Sequence, residues 1–210
     1  MSERLRELTT KESKGGKILV FADGEYLFSL EPVYWYSLDL RDGDEVPDET
    51  FEALRTESER RRAADSALRV LTSRSHSRAE LKMKLRRKYC ADAVEYAIER
   101  CEEMGFIDDA AYAREKAEYL RSVKGYAPVR ILGELRAAGI DNAIADEALD
   151  SLEFSPEDEI PRIIERKYRG ADLSDEKTRR RIVSALQRMG YSASDIFAAI
   201  SAFDDCGDEF

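Results

Sequence analysis

The sequence is poor in the residues from which most enzyme sites are built. Its 210 residues hold one histidine and three cysteines. His76 lies in the polar run Ser73-Arg74-Ser75-His76-Ser77, which reads as a solvated loop or a helix entry rather than as the place for a general base. Cys90, Cys101 and Cys206 are odd in number and lack the C-x-x-C spacing of a zinc site, so reduced, partly buried thiols are expected. There is no phosphate-cradling glycine loop, because Gly15-Gly16 precedes a strand-like segment and has no Lys-Ser/Thr partner. The adjacent carboxylates Asp108-Asp109 could ligate a divalent ion, but they stand directly before a helix, where N-cap and dipole partner are the expected roles. No nucleophile, base and metal set emerges, so no catalysis, cofactor or metal is expected. No apolar run approaches the ~20 residues of a membrane helix, and the start Met-Ser-Glu-Arg lacks the apolar core of a signal peptide. A cytoplasmic location follows as the expectation.

A basic domain is also missing. The chain carries 34 Lys and Arg against 44 Asp and Glu, a formal charge of −10. Residues 1–62 hold 10 basic against 15 acidic side chains, 63–152 hold 15 against 16, and 153–210 hold 9 against 13. This balance argues against a general nucleic-acid binder.

What the chain does have is a unit of about fifty residues repeated three times, marked by the apolar pairs Leu81/Leu85, Ile131/Leu135 and Ile182/Leu186 and by the breaks Tyr89-Cys90, Gly139-Ile140 and Gly190-Tyr191. Apolar spacings of three and four predict three short helices per unit. In the first they fall near 59–74, 78–88 and 91–104, with buried stripes Ala64/Leu68/Leu71, Leu81/Leu85 and Val94/Ile98/Cys101, Ser77 as a cap and Gly105 as a stop. In the second they fall near 109–123, 128–138 and 141–152, with Pro128 at a first helical position, Asp141 as N-cap, and Tyr112, Leu120, Ile131, Leu135, Ile144 and Leu149 in the core. In the third they fall near 156–169, 175–189 and 192–203, burying Ile160, Ile163, Ile164, Ile182, Leu186, Ile196, Ile200 and Phe203. Pro161 predicts that the first of these helices starts late or is kinked.

Residues 17–30 have a different period, alternating around Asp23-Gly24, and predict a hairpin with strands 17–22 and 25–30. Tyr34-Trp35-Tyr36 would form a short helical turn or loop over it, since a lone hairpin is only marginally stable. The expected organisation is a disordered segment 1–16, a small β-hairpin domain 17–48, a first repeat with its lead-in helix 49–106, a second repeat 107–153, a third 154–204 and an acidic tail 205–210. The fold class is mainly α: three tandem three-helix repeats in an elongated array behind a small hairpin-containing domain. Such arrays present long surfaces suited to other long objects.

Within the repeats the basic residues gather on the second helices: Arg78, Lys82, Lys84, Arg86, Arg87 and Lys88 in the first, Lys177, Arg179, Arg180, Arg181 and Arg188 in the third. Arg78, Lys82 and Arg86 lie four apart and form one stripe beside Leu81/Leu85. A solvated face is the plain reading of such a stripe. Two of them at equivalent places on an acidic chain favour an anionic partner.

Three motifs in order, Ser77-Arg78-x-Glu80-Leu81-x-x-x-Leu85, Gly105-Phe106-Ile107-Asp108-Asp109-x-x-Tyr112-Ala113 and Lys124-Gly125-Tyr126-x-Pro128-x-Arg130-Ile131-x-x-Glu134-Leu135-x-x-x-Gly139-Ile140, resemble those of the bacterial RecX family, regulators of the RecA recombinase. The likeness covers about 63–203, is looser in the third unit, and extends to a hairpin domain found in some members only. It implies a curved, elongated array of three repeats. It also implies binding to the RecA filament, protein plus single-stranded DNA, with filament growth, ATP hydrolysis and strand exchange limited during recombination and repair, and no catalysis by the chain itself. Direct contact with DNA is the alternative reading, and a monomer is expected. Most motif residues have fold roles: Gly125 a tight turn, Pro128 a helix start, Glu134 a partner for Arg130, Gly139 a helix stop. Partner contact is assigned to the basic second helices, with Arg130 added from the second repeat.

Overall fold

The computed structural model describes residues 5–206, with side chains through residue 202. Two compact units divide the chain: one takes the chain up to Arg74 with Leu81–Ile107, the other Ser75–Glu80 with the chain from Asp108 onward.

The first unit opens on an antiparallel sheet of four strands in the order β3-β2-β1-β4, formed by β1 (Leu5–Glu12), β2 (Ile18–Ala22), β3 (Glu25–Leu30) and β4 (Glu45–Pro47). The expected hairpin is β2–β3, turned at Asp23 and Gly24 with φ of 50° and 85°, the left-handed pair whose twist suits a two-residue connection. Disorder was expected over 1–16, but 5–12 form β1, paired from Leu8↔Ala22 to Glu12↔Ile18. The reason is packing: Leu8 is fully buried with Val20, Phe28 and Leu30, and a third strand supplies the apolar face that a lone hairpin lacks. Gly15-Gly16 belongs to the β1–β2 turn, where the Gly16 N–H donates to the Ser13 carbonyl at 2.9 Å. Residues 1–4 and 207–210 lie outside the described residues. The aromatic cluster enters a short helix, α1 (Pro32–Trp35), and Trp35 closes the sheet's core with Phe51 and Leu54.

Those last two residues belong to α2 (Asp48–Leu71), which begins after Pro47 with Asp48 and Glu49 in its first turn, where carboxylates favour the helix dipole. Midway, Ser58 is buried and its hydroxyl donates to the Ser29 carbonyl at 2.7 Å. Further on, Ala63 and Ala67 enter the first repeat's core with Ala93 and Ala97 of α4 (Ala91–Glu103). The expected stripe Ala64/Leu68/Leu71 is only partly buried. Small side chains sit at the helix–helix seam and the leucines cover its edge. Leu81 and Leu85 of α3 (Arg78–Leu85), with Val94, Ile98 and Cys101, complete that core, each large aliphatic residue contributing about 1.5–3 kcal/mol.

The second unit holds α5 (Asp109–Tyr119), a π-helical turn (Leu120–Lys124), α6 (Pro128–Ala137), α7 (Asn142–Asp150), α8 (Pro156–Lys167), α9 (Glu176–Arg188) and α10 (Ala193–Cys206). Asp108 caps α5 through Ala111 N–H, Asp141 caps α7 through Ala143 N–H, and Pro128 occupies the first turn of α6. Ile131 and Leu135 are fully buried. In α7 the sealed positions are Ala145 and Ala148, while Ile144 and Leu149 pack partly buried beside them. The isoleucines expected in the third core are there, as is Leu186. The side chains of Phe203 and Cys206 lie outside the described ones. Nor does α8 start late at Pro161: it runs from Pro156 through that residue, leaving the Glu157 carbonyl one turn back without its helical N–H.

One joint is used twice in this unit. Ser77, just before α3, donates its hydroxyl to the Ala138 carbonyl at 2.5 Å, and Ala127, just before α6, donates its N–H to the Met189 carbonyl at 2.9 Å. Each carbonyl precedes a left-handed glycine, Gly139 at φ 75° and Gly190 at φ 97°. A methyl on Gly139 would lie 2.3 Å from Ala79 Cβ, and one on Gly190 would lie 2.8 Å from Arg130 Cβ. Glycine is therefore required there twice over, by backbone sign and by close approach.

Candidate partner-binding surface

The stripe read on α3 is partly neutralised within its own unit. Lys82 pairs with Glu95 of α4, and Arg86 approaches the same carboxylate at 3.9 Å. In the second unit, the Arg78 N–H donates to Asp109 Oδ1 at 2.8 Å. Asp109 therefore holds the α3 N-terminus in addition to standing in the first turn of α5. Lys84 is exposed on α3, whereas Arg86 and Arg87 are exposed in the turn after it, because the helix ends at Leu85 and not near 88 as expected.

On α6, Arg130 pairs with Glu134 at 2.7 Å and lies 5.6 Å from the Tyr126 ring centroid. On α9, Arg180 pairs with Glu176, Arg181 lies over the Tyr168 ring at 5.9 Å, and Lys177 and Arg188 are exposed. The structure brings Arg130 and Arg188 together: with Tyr126, Val129, Gly133 and Gly190 they line an open groove of about 640 Å³ between α6 and the end of α9.

A second basic cluster was not read from the sequence. Arg166 donates to the Ser122 and Val123 carbonyls at 3.3 and 3.4 Å, and Lys167 to the Lys124 carbonyl at 3.2 Å. The C-terminal half of α8 thus satisfies the carbonyls at the end of the π-helical turn. Desolvation, then the charges of Arg166 and Lys124, push the Lys167 ammonium below the usual lysine range. Arg162, Arg166 and Arg169 line an open groove of about 770 Å³ with Tyr168 and Leu173. The spacing of Arg162, Arg166 and Arg169 was visible. It was masked by Glu157, Asp158 and Glu159 in the same helix, whose charges segregate along α8 as its dipole favours.

His76 was expected in solvent or at a helix entry. It does precede α3, but it is buried, as is Ser77, because Ser77 both accepts from the Glu80 N–H at 3.1 Å and donates to Ala138, and this joint draws its neighbour inside. Cys101 is a buried free thiol raised above its ordinary pKa by burial and then by Glu102, whereas Cys90 is free and exposed. Among the described residues no group of three or more His, Cys, Asp or Glu is placed to hold a metal ion, and no helix is long and apolar enough to cross a membrane.

Tandem three-helix repeats behind a small sheet, with grooves and charged faces as their chemical features, define a helical-repeat protein. Residues 63–101 match the first three-helix domain of RecX and residues 108–149 the second. A relative named Regulatory protein RecX from Syntrophotalea carbinolica is 32% identical over 145 residues, 66% of this chain and 94% of the relative. One of the same name from Halorhodospira halophila is 34% identical over 142 residues, 67% of this chain and 88% of the relative. The chain belongs to the RecX family. Its fold is similar to a crystal structure of a regulatory protein RecX, with TM-score 0.65 and 21% identity over 96% of this chain and all of that one. It is also similar to RecX from Lactobacillus salivarius, with TM-score 0.55 and 21% identity over 70% of this chain and 97% of that one.

Proposed function

We propose that this chain is a cytoplasmic, non-catalytic regulator that binds RecA filaments and limits their growth, ATP hydrolysis and strand exchange. The observation that carries the reading is the family membership, together with the order of motifs from Ser77 to Ile140. The contact falls on the second helices and the turn after the first of them: Arg78, Lys82 and Lys84 on α3, Arg86 and Arg87 just beyond it, Arg130 on α6, and Lys177, Arg180, Arg181 and Arg188 on α9. The groove shared by Arg130 and Arg188 supports this, since it offers two cations beside the apolar Val129 and Tyr126, the mixture that desolvated protein contacts use. A monomer suffices, because repeats on one chain can touch successive subunits of a filament. Binding is to be compared on bare single-stranded DNA, on the recombinase alone and on the assembled filament. Preference for the assembled filament is expected, and equal binding to bare DNA and filament would refute the reading.

A further inference from the structure

Among the described residues every glycine except Gly15, in the β1–β2 turn, and Gly133 takes a positive φ, so backbone sign accounts for the others. Gly133 lies inside α6 in ordinary helical conformation, where glycine is less favourable to a helix than alanine. Packing within the chain does not account for it either. A Cβ on Gly139 or Gly190 would strike a neighbour, whereas one on Gly133 would meet nothing within 4 Å. The space its missing side chain leaves open belongs to the groove between α6 and the end of α9.

The lining of that groove is uneven. Val129, one turn before Gly133, is 76% exposed, with Tyr126 half-buried nearby. Arg130 is committed to Glu134 and to the Tyr126 ring. Arg188, exposed on the α9 side, has no ion pair among the described residues, and no carboxylate is among the residues that line the groove. A large aliphatic side chain in water, an uncommitted guanidinium and a bare stretch of helix backbone complement one kind of occupant: a protein segment whose main chain passes over Gly133, whose apolar side chain covers Val129, and whose carboxylate takes the Arg188 fork. A nucleic-acid strand suits the groove less, because Glu134 already neutralises Arg130 and one free cation is little for a polyanion. We infer that this groove receives an acidic and apolar segment of the recombinase and that Gly133, by lacking a side chain, admits its backbone. The inference rests on the filament reading above and adds to it the residue that sets how closely the partner approaches.

The test uses the full chain and RecA filaments assembled on single-stranded DNA, with binding read by biolayer interferometry. Gly133→Ala should melt no lower than the parent yet bind the filament roughly five- to tenfold more weakly, and Gly133→Leu more weakly still, because each added carbon fills space that the partner's backbone needs. These steric losses should persist at high salt, whereas the loss caused by Arg188→Gln should shrink as salt rises. Ala143→Leu, which adds bulk at an exposed position of α7, should bind as the parent does. Parent-like binding by Gly133→Ala would overturn the inference, and since that variant keeps its fold the result does not depend on how well Gly133→Leu folds. An equal loss by the Gly133 variants on bare oligothymidine would also overturn it, by placing a strand in the groove. In both cases a parent that still prefers the filament leaves the filament reading standing; a parent that does not bind the filament refutes both.

Discussion

Replacing Gly139 by valine puts two costs on one residue. At φ 75° a β-branched side chain is strained by about 1–2 kcal/mol. The new Cβ also lies 2.3 Å from Ala79 Cβ and 3.8 Å from Ala79 Cα, a clash relieved only by moving backbone, and overpacking of this kind costs about 1–3 kcal/mol. The sum, about 2–5 kcal/mol, is a large share of the 5–15 kcal/mol that holds an ordinary domain together. For a chain of this size it lowers the melting temperature by roughly 4–20 °C. Gly133 supplies a control of opposite sign: it lies inside α6 with φ in the ordinary range, and a Cβ there meets nothing within 4 Å, so Gly133→Ala should stabilise by about 0.5–1 kcal/mol. The assay is thermal unfolding by circular dichroism, with amide exchange on α6 reporting the second unit if the two units melt apart. A Gly139→Val protein that melts with the parent, or a Gly133→Ala protein that melts below it, would refute the joint as described.

Ser77→Ala removes the donor to Ala138 and the acceptor for Glu80 N–H at a fully buried position, and should cost about 1–3 kcal/mol by denaturant titration. Arg121 bonds Glu118, Glu159 and the Glu153 carbonyl, so Arg121→Ala should loosen α8 from the π-helical turn, read as faster amide exchange in α8 with exchange in the sheet unaltered. The buried Tyr191 hydroxyl has no hydrogen-bond partner, and its pKa is raised, first by desolvation and then by Glu159. A raised folded pKa gives stability that is complete below the unfolded tyrosine value near 10 and is lost as pH climbs above it. Tyr191→Phe should therefore match or exceed the parent's stability at neutral pH and lose less of it above pH ~10.

Legibility followed the range of the forces involved. Helix limits came through where caps and stops are local, as Ser77, Asp141, Pro128 and Gly139 act where their spacing placed them, whereas α3, expected to run to 88, ends at Leu85. β1 did not, because what orders Leu5–Glu12 is pairing with β2 and β4 and the burial of Leu8 in a core assembled from distant residues. The buried face of α2 was read one position off, since leucines dominate an apolar pattern while Ala63 and Ala67 win the seam by being small. Burial of His76 could not be read either, depending as it does on the bond from Ser77 to a carbonyl sixty-one residues beyond that serine. The second-helix cations were visible as a charge pattern. Which of them already hold carboxylates was not, and neither was the α8 cluster, where Arg166 and Lys167 reach the carbonyls that end the π-helical turn.

The central claim is regulation of a recombinase filament, and the most direct measurement is the steady-state ATPase rate of RecA from the same organism on single-stranded DNA as this protein is added. The account predicts a progressive fall in rate at amounts well below one per recombinase subunit, because one molecule touching a filament end or groove affects many subunits. A rate unchanged at saturating protein would contradict it.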